Sequence, residues 1–210
     1  MSAPTAIRPP TKMPDRDEAK SKLQSELNLA SNSRFVGQVS VLRSWKGHKF
    51  LIEAFEHIAV SFPDLHLVLV GAGPIEEDVK KIASIGKWAE RIHLVGHKDN
   101  PWPYFRAFEI ATLASVSNEG IPQSLLQAMH AETPVIGTNV GGIPEIVIDN
   151  STGLLAKPGD PPSLANAMTR LLGDSKLQSK MSRNAHELTS ENFRWDSLGK
   201  KIEGLFKSSP

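Results

Sequence analysis

Six short, almost wholly apolar runs alternate with amphipathic stretches along most of this chain, and that alternation restricts the fold more than any other feature. The runs cover residues 35–41, 65–70, 91–95, 110–113, 134–137 and 153–155. A strand with one wetted face carries a polar residue at every second position, and these runs do not. Strands buried on both faces lose that alternation, so the pattern predicts a parallel sheet covered by helices on each side. Between the runs, 49–62 sets Phe50, Leu51, Ala54, Phe55 and Ile58 at helical spacing, and 75–85 and 122–131 follow the same rule. After the last run, 161–172, 176–189 and 193–206 read as three successive helices wrapping the outside of the sheet. Ahead of the first, Pro4, Pro9, Pro10 and Pro14 mark an extended arm, and 15–27 reads as a short charged helix. The expectation is an arm with a short helix over residues 1–33 and one α/β domain over 34–210, its parallel sheet of about six strands flanked by helices.

A length of 210 residues suits one domain with tails. The formal net charge of +1 gives no chain-wide attraction to nucleic acid or to an anionic membrane, so any anion site must be local. There is no cysteine, which rules out disulfides, thiolate nucleophiles and cysteine zinc sites. No apolar run reaches the ~18–20 residues of a membrane span, and the amino terminus lacks the apolar segment of a signal peptide. The expected location is the cytoplasm, either free or peripheral at the inner membrane face, with no transmembrane segment.

Open parallel sheets bind ligands outside the carboxyl ends of their strands, so the loops that follow the runs carry the functional signal. After the first comes Arg43-Ser44-Trp45-Lys46-Gly47-His48. Two cations at a helix start suit a diphosphate, because free N–H groups and the helix dipole favour anions there; a solvated basic turn is the other reading. After the second stands Gly71-Ala72-Gly73-Pro74, which lacks the third glycine of a dinucleotide fingerprint and reads better as a tight strand-to-helix turn. After the third, His97 in Gly96-His97-Lys98-Asp99 either lines a base pocket or lies on the surface.

The loop after the fourth run, Ser115 to Gln123, is the most informative. Pro122 suits the first turn of a helix, so the N–H groups of Gln123 and its neighbours should be free at the ligand edge, an anion site. Glu119 either complements that helix dipole or accepts from sugar hydroxyls beside a phosphate. After the fifth run, Gly141-Gly142 permits a close backbone approach, and Glu145 behind Pro144 reads as a helix-start residue.

In order, Lys46-Gly47, Val70-Gly71-Ala72-Gly73-Pro74, Val95-Gly96, Glu119-Gly120-Ile121-Pro122, Pro134-Val135-Ile136, Gly141-Gly142-Ile143-Pro144-Glu145, Thr152-Gly153-Leu154-Leu155 and Pro158-Gly159-Asp160 resemble the carboxy-terminal domain of a large family of retaining glycosyltransferases. That family contains sucrose synthases, mannosyltransferases and bacterial lipopolysaccharide and polysaccharide glycosyltransferases, the group 1 kind with the two-domain GT-B fold. The resemblance runs from about Phe35 to the end. It implies two facing Rossmann-like domains, of which this chain carries the second, the one that binds the nucleotide-sugar; a saccharide or glycolipid acceptor would sit mainly on the first. It implies no metal and no cofactor beyond the donor substrate.

Residue by residue, the resemblance makes Lys46 and Arg43 the cations that neutralise the diphosphate and Glu119 the holder of donor-sugar hydroxyls. The N–H groups of Gly120, Ile121 and Gln123 would contact the diphosphate or sugar. The backbone of Gly96 and His97 would edge the base pocket, with Gly71 beside it. Two positions depart from the pattern. An arginine expected five residues before Lys46 is Val41 here, so Arg43 is assigned by proximity, with Gln38 a weaker candidate. A second glutamate, eight positions after Glu119, is Gln127, which keeps hydrogen bonding to the ribose and gives up the charge.

The acceptor domain expected ahead of the first strand is replaced by the arm, which resembles the family's interdomain linker. The chain is therefore expected to act with an acceptor domain, supplied by another chain or lost from this one. A non-catalytic nucleotide-sugar-binding or partner module is the alternative. A nicotinamide-dependent oxidoreductase is disfavoured by the incomplete glycine fingerprint. A nucleotide-sugar epimerase shares the fold and would also need a second half.

Overall fold

The computed structural model describes residues 5–195, and the six expected runs form the six strands of one parallel sheet. They are β1 (Arg34–Val39), β2 (Leu65–Val70), β3 (Ile92–Leu94), β4 (Ile110–Leu113), β5 (Val135–Thr138) and β6 (Leu154–Ala156). Their spatial order is β3-β2-β1-β4-β5-β6. The chain therefore builds outward from β1 in one direction, then returns to place β4 on the other side of β1. β1 stops two residues short of its apolar run. Its ladder with β2 ends at Val39 and Val70, and beyond it Leu42 N–H donates to the Ala72 carbonyl between two loops.

Helices α1 (Arg16–Glu26), α2 (His48–Ile58), α3 (Glu76–Ile85), α4 (Trp102–Ala107), α5 (Gln123–His130), α6 (Ile143–Ile146), α7 (Pro161–Leu172) and α8 (Ser175–Asn192) cover both faces. On one face α2, α3 and α7 pack on Val36, Leu65, Leu67, Leu69, Ile110 and Ile136. On the other α1, α4, α5 and α6 pack on Phe35, Val68, Val70, Ala111, Leu113 and Val135. Alternate residues of one strand thus enter opposite cores, which is why both parities had to be apolar.

Helix starts follow their caps. Asp15 accepts from Asp17 N–H and Glu18 N–H, Asp160 from Ser163 N–H with Pro161 and Pro162 behind it, and Asp174 from Leu177 N–H. α4, between Pro101 and Phe108, is additional to the sequence reading, and the helix start read at Pro144 and Glu145 is the four-residue α6. The helix read at 193–206 lies, from residue 196 on, outside the described residues. Ile7 of the arm is buried in the core and bridges the chain beyond α8: its N–H donates to Phe193 O at 2.7 Å, and its carbonyl accepts from Trp195 N–H at 3.1 Å.

No helix of the described residues is long and apolar enough to cross a membrane.

Candidate functional site

Strand order reverses between β1 and β4, and the carboxyl side of such a switch point is where open α/β sheets bind their ligands. The β1 loop brings Lys46 there at the end of a 3-10 turn (Ser44–Lys46); the β4 loop brings Glu119. Lys46 Nζ lies 2.6 Å from Glu119 Oε1. The Ser115 hydroxyl donates to the same oxygen, so both donors fall on Oε1 and neither on Oε2. Glu119's side chain is 5% exposed and that of Lys46 19%, which makes this a partly desolvated pair. Ser115 is held in turn by its carbonyl, which accepts from the Thr138 hydroxyl on β5 at 2.5 Å.

The β1 loop is clamped onto the end of β4. Val116 N–H donates to Trp45 O at 2.8 Å. Gly47 sits at φ 71, and a Cβ there would overlap the Ala114 carbonyl, so only glycine allows this approach. Gln38, buried at the end of β1, accepts from Ala114 N–H through Oε1 at 3.0 Å and donates through Nε2 to Lys46 O at 2.9 Å. From the β5 loop, Gly142 N–H donates to Glu119 O at 3.1 Å, and a Cβ on Gly142 would run into the backbone of Gly120 and Ile121.

Helix α5 begins at Gln123, with Pro122 just outside it as the capping residue; no side chain caps its first N–H groups. Gly120 is exposed at its foot, Ile121 is half-buried, and Gln127 lies half-buried one turn above Gln123. The Gln123 side chain donates to Ala6 O in the arm at 3.2 Å. Arg43 is exposed, with its guanidinium 5.0 Å from the centre of the Trp45 ring, so Lys46 and Glu119 are brought together and Arg43 points at a neighbour on its own loop. Val41, at the position of the expected arginine, is 51% exposed. Gly71 N–H donates to Gly96 O at 2.8 Å, tying the β2 and β3 loops together, and the His97 side chain is exposed beside Asp99.

Three polar residues to which the sequence reading gave no individual role are Ser115, just after the β4 run, Ser40, inside the β1 run, and His48, the first residue of α2. Among the described residues no three His, Cys, Asp or Glu side chains gather as metal ligands. A cavity of about 1130 Å³ lies elsewhere, between the arm, α1, Arg106, His130, Glu132 and His186. Those last residues precede β4 and β5 or face them from α8, so it opens at the amino ends of the strands. The switch point remains the better candidate, because it is where loop backbone, a helix amino terminus and an ion pair converge.

The model of the family described as Glycosyl transferases group 1 matches residues 19–188. N-acetyl-alpha-D-glucosaminyl L-malate synthase of Bacillus anthracis is 29% identical over 185 residues, 88% of this chain and 48% of that protein. The fold is similar to that of Anabaena HepE, solved in complex with UDP and glucose, at a TM-score of 0.81 and 24% identity over 91% of this chain and 52% of that one. It is similar also to the C-terminal domain of the group 1 glycosyl transferase LpcC of Francisella tularensis, at a TM-score of 0.75 and 24% identity over 90% of this chain and 97% of that domain. The chain spans about half the length of the curated relatives it matches.

Proposed function

Since the chain belongs to the Glycosyl transferases group 1 family, we propose that it binds a nucleotide-sugar donor at the β1–β4 switch point and serves transfer of the hexosyl group, with retention and without a metal. The acceptor in this reading is a saccharide or a lipid-linked saccharide of polysaccharide or lipopolysaccharide synthesis, presented by an acceptor domain. The carrying observation is the Lys46–Glu119 pair beside the uncapped start of α5.

The pair suits an exchange. A donor diphosphate entering between Lys46 and the free N–H groups of α5 offers the ammonium a more highly charged partner than one carboxylate. Glu119, released from Lys46 and still held by Ser115, then accepts from hydroxyls of the sugar. As the bond from the anomeric carbon to the diphosphate oxygen breaks, its electron pair stays on the diphosphate, where Lys46 and the helix dipole stabilise the growing charge. The acceptor oxygen bonds to the anomeric carbon from the departing side, and its proton passes to the released phosphate oxygen, which retains the configuration. Gln127 would meet the ribose, the loop at Gly71, Gly96 and His97 the base. The named relatives lend support as proteins of the same family: HepE was solved with UDP and with UDP-glucose.

Calorimetric titration with UDP-glucose, GDP-mannose and ADP-glucose in the presence of EDTA tests this reading. Heat of binding with one of them is expected; none with any of the three overturns it.

A further inference from the structure

Behind Lys46, and outside the groups that would touch a donor, three polar side chains form a continuous chain of hydrogen bonds: Gln38, Ser40 and His48. Gln38 is 1% exposed and His48 2% exposed, so each polar atom there must find a protein partner or go without. The directions of the bonds at Gln38 follow from Ala114. Gln38 Oε1 accepts from Ala114 N–H, which fixes its carboxamide, so Nε2 is the donor to both Lys46 O at 2.9 Å and Ser40 Oγ at 3.1 Å. A hydroxyl oxygen has two lone pairs, so Ser40 Oγ, already accepting once, can either donate its hydrogen to His48 Nε2 at 3.0 Å or accept from it. When Ser40 donates, the imidazole hydrogen resides on Nδ1, which is buried and has no hydrogen-bond partner among the described residues.

In either tautomer the buried Nδ1 goes unpaired, a cost in stability that a hydrocarbon of similar size at position 48 would not incur. A buried imidazole kept on those terms does something through its other nitrogen that a hydrocarbon cannot. We propose that His48 is a positioning residue for Lys46: as a neutral acceptor it orients the Ser40 hydroxyl, which with Ala114 N–H orients Gln38, whose carboxamide holds the Lys46 carbonyl and so the root of the cation. Neutrality is secured by burial and by the Lys46 charge, which push the His48 pKa down to about 4. Gln38 is thereby assigned to the scaffold of the cation, behind the diphosphate. The inference rests on the donor-binding reading of Lys46.

The test compares the wild type, His48→Leu, His48→Gln and Ser40→Ala in thermal melts, in titration with whichever of UDP-glucose, GDP-mannose and ADP-glucose binds the wild type, and by ¹⁵N spectroscopy of the imidazole. The Leu variant should melt at or above the wild type yet bind about ten-fold more weakly, and Ser40→Ala should bind weakly too. Glutamine, whose side-chain oxygen reaches where Nε2 lies, should restore affinity to within about three-fold. The wild-type spectrum should show hydrogen on Nδ1, and Ser40→Ala should shift Nε2. Should the Leu chain not fold, Ser40→Ala, a smaller change, carries the same expectation. Wild-type affinity in Leu or in Ser40→Ala, a folded Gln variant as weak as Leu, or hydrogen on Nε2 overturns the inference while the donor reading stands. A wild type that binds none of the three probes overturns both.

Discussion

Lys46 and Glu119 stand 73 residues apart in sequence, and Nζ meets Oε1 at 2.6 Å across the line where strand order reverses. The contact joins the two halves of the sheet along the line where β1 sends α2 to one face and β4 sends α5 to the other.

Lys46→Ala leaves the Glu119 carboxylate partly buried with Ser115 as its remaining donor. A stability loss of ~1–3 kcal/mol is expected in urea denaturation, with part recovered in the Lys46→Ala, Glu119→Gln double variant, because the uncompensated charge is then gone. The same Lys46→Ala chain should bind the donor on the order of ten- to a hundred-fold more weakly in calorimetry, since a charge-assisted contact to phosphate is lost.

Val41 is apolar and exposed on the loop after β1, where the family resemblance expects an arginine. Val41→Arg should tighten donor binding several-fold by adding a fixed cation to the diphosphate site, with little change in melting temperature. An unchanged affinity would assign the second cation to Arg43, and Arg43→Ala would then weaken binding.

Arg91 is the structural keystone of the opposite end. Its buried guanidinium donates to Ala59 O at 2.8 Å, Phe62 O at 2.9 Å and Pro63 O at 3.1 Å, closing the end of α2 and the turn into β2. Removing it orphans several carbonyls together. Arg91→Ala should cost ~3–5 kcal/mol in denaturant titration, and Arg91→Lys, which keeps a donor and loses the planar fork, should recover only part.

His48, His66 and His130 are each pushed down to about 4, chiefly by burial, with Lys46, His93 and His186 as the next causes in turn. The unfolded chain takes up protons on these rings near pH 6.5, whereas the folded chain resists until about pH 4. Their contribution is therefore fully present above pH 6.5 and is lost as pH falls toward 4. Thermal melts should drop between pH 6.5 and 5, above the range where carboxylates titrate, and His130→Leu should flatten that limb.

All six strands were legible because burial on two faces leaves an unbroken apolar run, a signal that tertiary packing reinforces. α4 was not: its six residues are too few to show a helical period, and Pro103 stands at the second helical position, where no N–H is missed. α6, four residues long, is too short to show a period. At the site, Lys46 and Glu119 could be singled out as charges in loops after strands. The roles of Gln38 and His48 could not, because sequence gives a residue's type and the direction its hydrogen bonds take depends on Ala114 and Ser40, brought beside them by the fold. Gln38 carried a diphosphate expectation for that reason; its carboxamide faces Ala114, Ser40 and the Lys46 carbonyl.

The parallel bridge between Ile7 and the segment after α8 has a mechanical consequence. Tension applied at residues 5 and 195 pulls two parallel segments past each other, so the bonds Ile7 N–H to Phe193 O and Trp195 N–H to Ile7 O carry load side by side, in shear. Force reaching the domain from anything tethered at those ends loads this latch together with the neighbouring bond from the Gln123 side chain to Ala6 O, so it is passed to the start of α5 as well as to the end of α8.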